Sequence, residues 1–471
     1  MVKLSMLSDE DVKAIHEATL RILSDVGILL TEPKGVEILT GSGAKVRGDR
    51  LFLPPDLVEQ ETGKCPRTVT IYGRDKKAVV LGDGKLHWHN LGGARDVYEP
   101  HSGQKRPAMV QDVCDSAKVL NALENATTIT PFFTPQDVPG PLMALAMYRH
   151  TLPHTTKPVH GPGVQTAAEV RYMVRMARVI GSPQEVLTFG ISPISPLTFP
   201  DDVVEAIMET ARNGVPLGPL PCPIAGATSP MSLAGSLTQQ NAEVLASIVL
   251  AQLVHPGLPI FYCGRLDMME PRTGFSVWVG VEGALASAAT VQIAHSYGLP
   301  VNVYGFSTNA HTLDIQNGYE RALNAIIPAL AGADELSGIG EMEAGVMGSY
   351  VQMICDDEIA ASVHRLLRNF QVDEDSLAVD VIEAVMEGER NFLSHKHTVR
   401  YLRAGEIFIT RLADRTSWEE WDRTGREGMG GRAQSEVERL LAEHEVLSLT
   451  EDQEQTLDEI MQEALSELSS T

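Results

Sequence analysis

Apolar and polar positions along the chain fall into blocks whose period changes. Ser8 and Asp11 form a capping-box pair ahead of Val12, Ile15, Ile22, Leu23 and Val26. That spacing predicts an amphipathic helix, and Gly27 is its natural stop. Between about residues 46 and 98 the runs are short: Leu51-Phe52-Leu53, Val69-Thr70-Ile71-Tyr72, Val79-Val80-Leu81 and Leu86-His87-Trp88-His89, separated by Gly and Asp. They predict a small β-rich region wrapped around the N-terminal helices. From about Met109, β-compatible runs at 129–133, 186–191, 215–219, 258–263, 299–306 and 335–339 alternate with helical stretches at 167–180, 203–213, 233–255, 280–297 and 319–331. Such alternation predicts a parallel sheet covered by helices.

Neither a P-loop nor a G-x-G-x-x-G turn follows any predicted strand, which weakens a nucleotide-binding doubly wound sheet. The expected fold class is α/β, a (β/α)8 TIM barrel. With 471 residues the chain exceeds a barrel of about 250. The expected division is a helical and β-rich N-terminal elaboration over 1–108, a barrel core over 109–372 and a helical C-terminal extension over 373–471. The tail from residue 435 is strongly acidic, with Arg439 its only Lys or Arg, yet Leu440, Leu441, Leu447 and Leu449 give it an apolar face.

The charged fraction is 21% and the hydrophobic fraction 43%, the balance of a soluble chain that can bury a large core. A net charge of -24 argues against a nucleic-acid partner. The N-terminus lacks the apolar core of a signal peptide. The most apolar later stretch, 246–263, is interrupted by Gln252, His255 and two prolines, so no membrane span is expected. Cys65, Cys114, Cys222, Cys263 and Cys355 are far apart and form no C-x-x-C, as in a reduced, cytoplasmic protein.

Several segments together carry a resemblance. They are Leu91-Gly92-Gly93-Ala94-Arg95-Asp96-Val97-Tyr98, Thr155-Thr156-Lys157-Pro158, and Ser229-Pro230-Met231-Ser232-Leu233-Ala234-Gly235 running into Gln239-Gln240-Asn241-Ala242-Glu243. Later come Ser307-Thr308-Asn309-Ala310, Asp356-Asp357-Glu358-Ile359 and Arg415-Thr416-Ser417-Trp418. From about Ser8 to Gly425 the chain resembles the trimethylamine:corrinoid methyltransferase family. The resemblance implies a barrel whose mouth receives a corrinoid (cobalamin) carried by a separate cognate protein, with no cofactor held tightly by the chain itself. Founding members contain pyrrolysine, whereas every residue here is one of the common twenty. The chain therefore resembles the non-pyrrolysine branch, which demethylates quaternary amines such as glycine betaine. The chemistry fits that loss. A quaternary ammonium attacked by cobalt(I) expels a neutral tertiary amine, so positioning and desolvation suffice and no catalytic acid is required.

A quaternary cation calls for aromatic faces and counter-charge. Tyr304 and Phe306 alternate at a predicted strand end, which places both rings on one side if the strand continues. Tyr98, Tyr350, Asp96 and Glu341 complete the expected substrate-binding set, with Glu343 the alternative to Glu341. For each, packing or a surface ion pair is the plainer role. At most one of Phe132 and Phe133 can face a pocket. Arg95, His160, Arg265 and His311 are candidates for a substrate carboxylate. Asp356, Asp357 and Glu358 read as first-turn helix acids, and Gly92-Gly93 as a tight turn or an anion cradle. Two other function classes stay open. One is a zinc-dependent corrinoid-linked methyltransferase using Cys222, Cys263 and His160, with His87/His89 and His395/His397 as further spaced pairs. The other is a non-catalytic quaternary-amine binding protein. No resident metal is expected, and a homo-oligomer is compatible with the sequence.

Overall fold

The computed structural model of the protein describes residues 4–468, apart from 101, 279 and 389. It is a mixed α/β fold in which short, buried parallel strands are wrapped by long helices. One sheet is wholly parallel and runs in the order Tyr262–Gly264, Val301–Tyr304, Glu335–Ile339, His87–Asn90. From its last strand a parallel bridge joins Trp88 to Ala126, and another joins Ile129 to Val159. Gly161 N then donates to Thr188 O at 2.8 Å, and Phe189–Ile191 pairs in parallel with Leu217–Pro219. A parallel bridge from Leu217 to Ile260 leads back to the first strand of the sheet.

Helices Val110–Ala122, Met143–Thr151, Ala167–Ile180, Asp201–Arg212, Leu233–Val254, Val281–Ser296, Ile315–Ala331 and Tyr350–Arg368 follow these segments in turn. The strands are buried on both faces, which is why they read as continuous apolar runs. His87–Asn90 was expected in the N-terminal elaboration. It pairs with Glu335–Ile339, so the parallel arrangement starts ahead of residue 109.

The N-terminal helix Asp9–Arg21 opens with the predicted reciprocal cap: Ser8 N donates to Asp11 Oδ2 at 2.9 Å and Asp11 N to Ser8 Oγ at 3.2 Å. One wider turn, Ile22–Val26, carries it to Gly27, whose φ of 74° ends the element. This helix and Pro55–Thr62 cover Leu233–Val254. That coverage explains why Leu233–Val254 has no polar face and buries Gln239, Gln240, Asn241 and Glu243. The Gln-Gln-Asn-Ala-Glu part of the 229–243 block is thus taken up by helix packing, while Met231 and Ser232 ahead of it are exposed. Asn241 Nδ2 donates to Tyr297 Oη at 2.8 Å, and Glu243 accepts from Ser195 Oγ at 2.7 Å and Leu197 N at 2.8 Å.

The acidic tail folds back onto the protein. Arg149, buried, lies 2.5 Å from Glu454 and 2.8 Å from Asp458, while Tyr172 Oη donates to Glu467 at 2.6 Å. Helix Glu451–Leu468 thereby docks on Ala167–Ile180 and buries Leu457, Ile460 and Ala464. Among the described residues no helix is long and apolar enough to cross a membrane.

Candidate active site

At the C-terminal ends of the parallel strands lies a cavity of ≈ 200 Å³. Active sites of barrel enzymes gather at this end because side chains from several strands converge there. The floor is a buried polar chain. Glu335 Oε1 accepts from Thr128 Oγ1 at 2.6 Å and faces His160 Nε2 at 3.1 Å, and His160 Nδ1 meets Thr188 Oγ1 at 2.6 Å. Asn302 Nδ2 donates to Glu335 Oε2 at 2.6 Å and to His89 Nε2 at 2.8 Å. The proton on His89 is therefore at Nδ1, which faces Thr130 Oγ1 at 3.2 Å. Burial pushes His89 down to about 4, so it stays neutral. Burial alone would raise Glu335, but the neighbouring His160 and His89 and its hydrogen bonds outweigh it and hold the carboxylate ionised.

Above the floor sits Arg265. Its Nη1 donates to Asn302 O at 2.9 Å and to Gly264 O at 3.0 Å, and its Nη2 donates to Asn302 Oδ1. The guanidinium carbon lies 4.9 Å from the centre of the Tyr304 ring. Trp278 stands beside Tyr304, with ring centres 5.2 Å apart. It is seated by Gly345: a Cβ there would fall 2.6 Å from the indole, so only glycine leaves room for it. Gly92 makes a similar close approach to Thr130, which accounts for that glycine as a packing requirement at the cavity wall.

Two acids complete the neighbourhood. Asp267 is 2% exposed; its Oδ2 accepts from Ser276 Oγ at 3.3 Å while Oδ1 has no hydrogen-bond partner. Burial raises its pKa well above the carboxylate range, and the nearby Glu341 adds to that rise. Glu341 is fully buried, its carboxylate has only the Ser307 hydroxyl beside it, and burial pushes it up to about 8 against the pull of Arg321 and Ser307. Both acids act on the Tyr304 phenol, which burial itself raises strongly.

Of the expected substrate-binding residues, Tyr304 lines the cavity and Glu341 lies close enough to act on it. Phe306 does not share its face. The strand ends at Tyr304, and Gly305 N and Phe306 N both donate to Ser337 O, a bulge that breaks the alternation. Phe306 is instead fully buried and stacks on Trp88 at 4.6 Å. Asp96 and Tyr98 share a small sheet with Glu341 but sit away from the cavity lining. Asp96 is 3.4 Å from both Arg95 and Lys105, and Tyr98 packs with Met342 and Met347. Tyr350 Oη donates to Asp112 Oδ1 at 3.0 Å and its ring leans on Phe133. Phe132 and Phe133 are both core.

Glu343 is paired with Lys105 at 2.7 Å. Asp356, Asp357 and Glu358 lie inside helix Tyr350–Arg368, which Ser349 caps, and hold other elements: Arg321, Asn125 and Arg411 are their partners. Arg265 and His160 line the cavity, whereas Arg95 and His311 are exposed. His160, Cys222 and Cys263 line it too, yet among the described residues no three His, Cys, Asp or Glu side chains stand close enough to hold a metal ion. His395 and His397 lie at the start of a helix, so their two-residue spacing does not align them. Trp278 and Asp267 escaped the sequence reading. Asp267 follows Arg265 by two residues, a spacing that could have marked it.

A sequence model described as Trimethylamine methyltransferase (MTTB) matches residues 1–468. The chain belongs to the trimethylamine methyltransferase family. It is 29% identical to the trimethylamine methyltransferase MttB of Desulfitobacterium hafniense over 98% of this chain and 95% of that protein. With the glycine betaine methyltransferase of Desulfitobacterium hafniense strain Y51 it shares 31% identity over 89% of this chain and 88% of the relative. The crystal structure of Methanosarcina barkeri monomethylamine methyltransferase has the same fold, with a TM-score of 0.54 at 14% identity over 98% of this chain and 88% of that one. This family member is accordingly an enzyme, a methyltransferase.

Proposed function

We propose that the enzyme moves an N-methyl group from a small quaternary amine, glycine betaine or a related betaine, to the cobalt(I) corrinoid of a cytoplasmic partner protein. The observation that carries this reading is the charge layout on the wall of one cavity and immediately behind it. Trp278 and Tyr304 stand beside two buried, underbonded carboxyl groups, Asp267 and Glu341, while Arg265 occupies the same wall. A betaine carries a fixed cation and an anion a few bonds apart, and this layout offers a partner to each. Arg265 faces the carboxylate. The Trp278 ring and the two acids face the ammonium, at about 0.5–2 kcal/mol for the ring.

The partner's corrinoid supplies the nucleophile that accepts the methyl group. The chain's residues bind, orient and desolvate the donor. The departing tertiary amine needs no proton, so none of these groups serves as a catalytic acid. The circuit of parallel pairings supports a closed (β/α)8 barrel beginning at His87, with the segments before it as elaboration and those after about residue 373 as extension.

Calorimetric titration with glycine betaine tests the site. Trp278→Leu should weaken binding by about 0.5–2 kcal/mol. Unchanged affinity in that variant would remove the cation from this wall.

A further inference from the structure

Arg265 is a buried cation without a counter-charge. It is 4% exposed and lines the cavity, and no ion pair joins it to a described carboxylate. A guanidinium carries five N–H donors in one plane. The two on Nη1 go to the carbonyls of Gly264 and Asn302, and one on Nη2 goes to Asn302 Oδ1. Asn302 thus covers the Nη1/Nη2 end of the group. The remaining edge, Nε–H with the second Nη2–H, meets no acceptor among the described residues. Two parallel donors on one edge match the two oxygens of a carboxylate. The other basic groups on the lining are already engaged: His160 with Thr188 and Glu335, His89 with Thr130 and Asn302.

The amide of Asn302 fixes that free edge. Its nitrogen donates to Glu335 Oε2 at 2.6 Å and to His89 Nε2 at 2.8 Å. Glu335 is an ionised carboxylate and only accepts, so the amide cannot turn over and its oxygen is left facing Arg265. The Tyr304 ring, with its centre 4.9 Å from the guanidinium carbon, holds the group from another side. The lock matters because Asp267 and Glu341 both feel the Arg265 charge. A guanidinium free to swing is drawn toward these acids. Pairing with one of them removes the anion's partner and a cation's partner together.

We infer that Asn302 is a positioning residue that sets donor specificity, a role that rests on the betaine reading proposed above. By locking Arg265 it keeps the Nε edge open for the carboxylate of the methyl donor. The enzyme therefore takes zwitterionic betaines and discriminates against quaternary cations that lack the anion.

The test compares glycine betaine with choline, which keeps the trimethylammonium and has a hydroxymethyl group where the betaine has its carboxylate. Affinity is read by calorimetry on the full chain, and methyl transfer by loss of cobalt(I) absorbance. Wild type prefers glycine betaine by about a hundredfold or more, because buried donors left unmatched penalise the analogue. Asn302→Leu keeps much of the bulk and loses the lock. Its preference falls by about tenfold or more through weaker betaine binding, while choline binds as it does to wild type. Asn302→Gln, which retains an amide, recovers part of the preference. Glu335→Gln preserves shape but lets residue 335 donate, so the Asn302 amide can turn and the preference again falls. That variant decides the matter if Asn302→Leu unfolds early in a thermal melt. A merely structural role would weaken both donors alike. A wild type that takes choline as readily as glycine betaine, equal loss of both donors in the variants, or a preference unchanged in the folded variants would each overturn the role of Asn302 and leave a quaternary-amine donor standing. Glycine betaine that neither binds to wild type nor gives up a methyl group would overturn the betaine reading and the role of Asn302 with it.

Discussion

The guanidinium of Arg265 lies 4.9 Å from the centre of the Tyr304 ring, so one face of that ring is already occupied by the protein's own cation. Tyr304 therefore acts through Arg265 as well as through its own surface, and the free aromatic contribution to a ligand's ammonium passes to Trp278. Tyr304→Leu keeps much of the bulk and removes the quadrupole. Betaine affinity should fall by about 0.5–2 kcal/mol, with Tyr304→Phe near wild type. Affinity and thermal unfolding are measured on the same variants. A Tyr304→Leu protein that melts early yet binds normally would assign the ring to the core.

Glu341 gives the enzyme a pH signature. Its folded pKa, about 8, lies above its unfolded value near 4.5, so the folded state binds more protons between those limits. Stability is greatest below pH 4.5 for this group, declines as pH rises toward 8, and levels off above it. Glu341→Gln should flatten that decline in melts taken across the window. A cation in the site favours the ionised carboxylate, so wild-type betaine affinity should rise with pH over the same range and the variant's should not. No falling limb belonging to a catalytic acid is expected in kcat.

The particular residues show why some of this was legible in the sequence. The N-terminal cap of Ser8 and Asp11 and the stop at Gly27 involve neighbours along the chain, and both formed as predicted. Strand alternation is local, and Tyr304, singled out by it, lines the cavity. Phe306 failed because the bulge at Gly305 depends on the Ser337 carbonyl of an adjacent strand. Trp278 was not legible for the same kind of reason: the room for its ring is left by Gly345, remote in sequence. The acids 356–358 look like a first helical turn until Arg321, Asn125 and Arg411 are brought to them by the fold.

Arg321 and Asp356 form a fully buried ion pair at 2.8 Å, and Arg321 also donates to the carbonyls of Phe306 and Glu341. Removing one partner strands the other's charge, so Arg321→Met should cost about 3–5 kcal/mol of stability. Arg321→Met with Asp356→Leu should recover part of it. Urea denaturation of both variants checks the order, which would reverse if the pair were dispensable.

Cys222 and Cys263 share the cavity with His160 without converging as ligands. Cys222→Ser and Cys263→Ser should retain methyl transfer, and chelator treatment should leave activity intact. Zinc at about one per chain, lost with either substitution, would favour the zinc-dependent alternative.

The most direct test of the account follows cobalt(I) absorbance while the enzyme is given a reduced corrinoid and one candidate donor at a time. The cobalt(I) signal should fall rapidly with glycine betaine or a related betaine, little with trimethylamine, and markedly more slowly in Trp278→Leu and Asp267→Asn. Efficient turnover of trimethylamine, with every betaine inert, would contradict it.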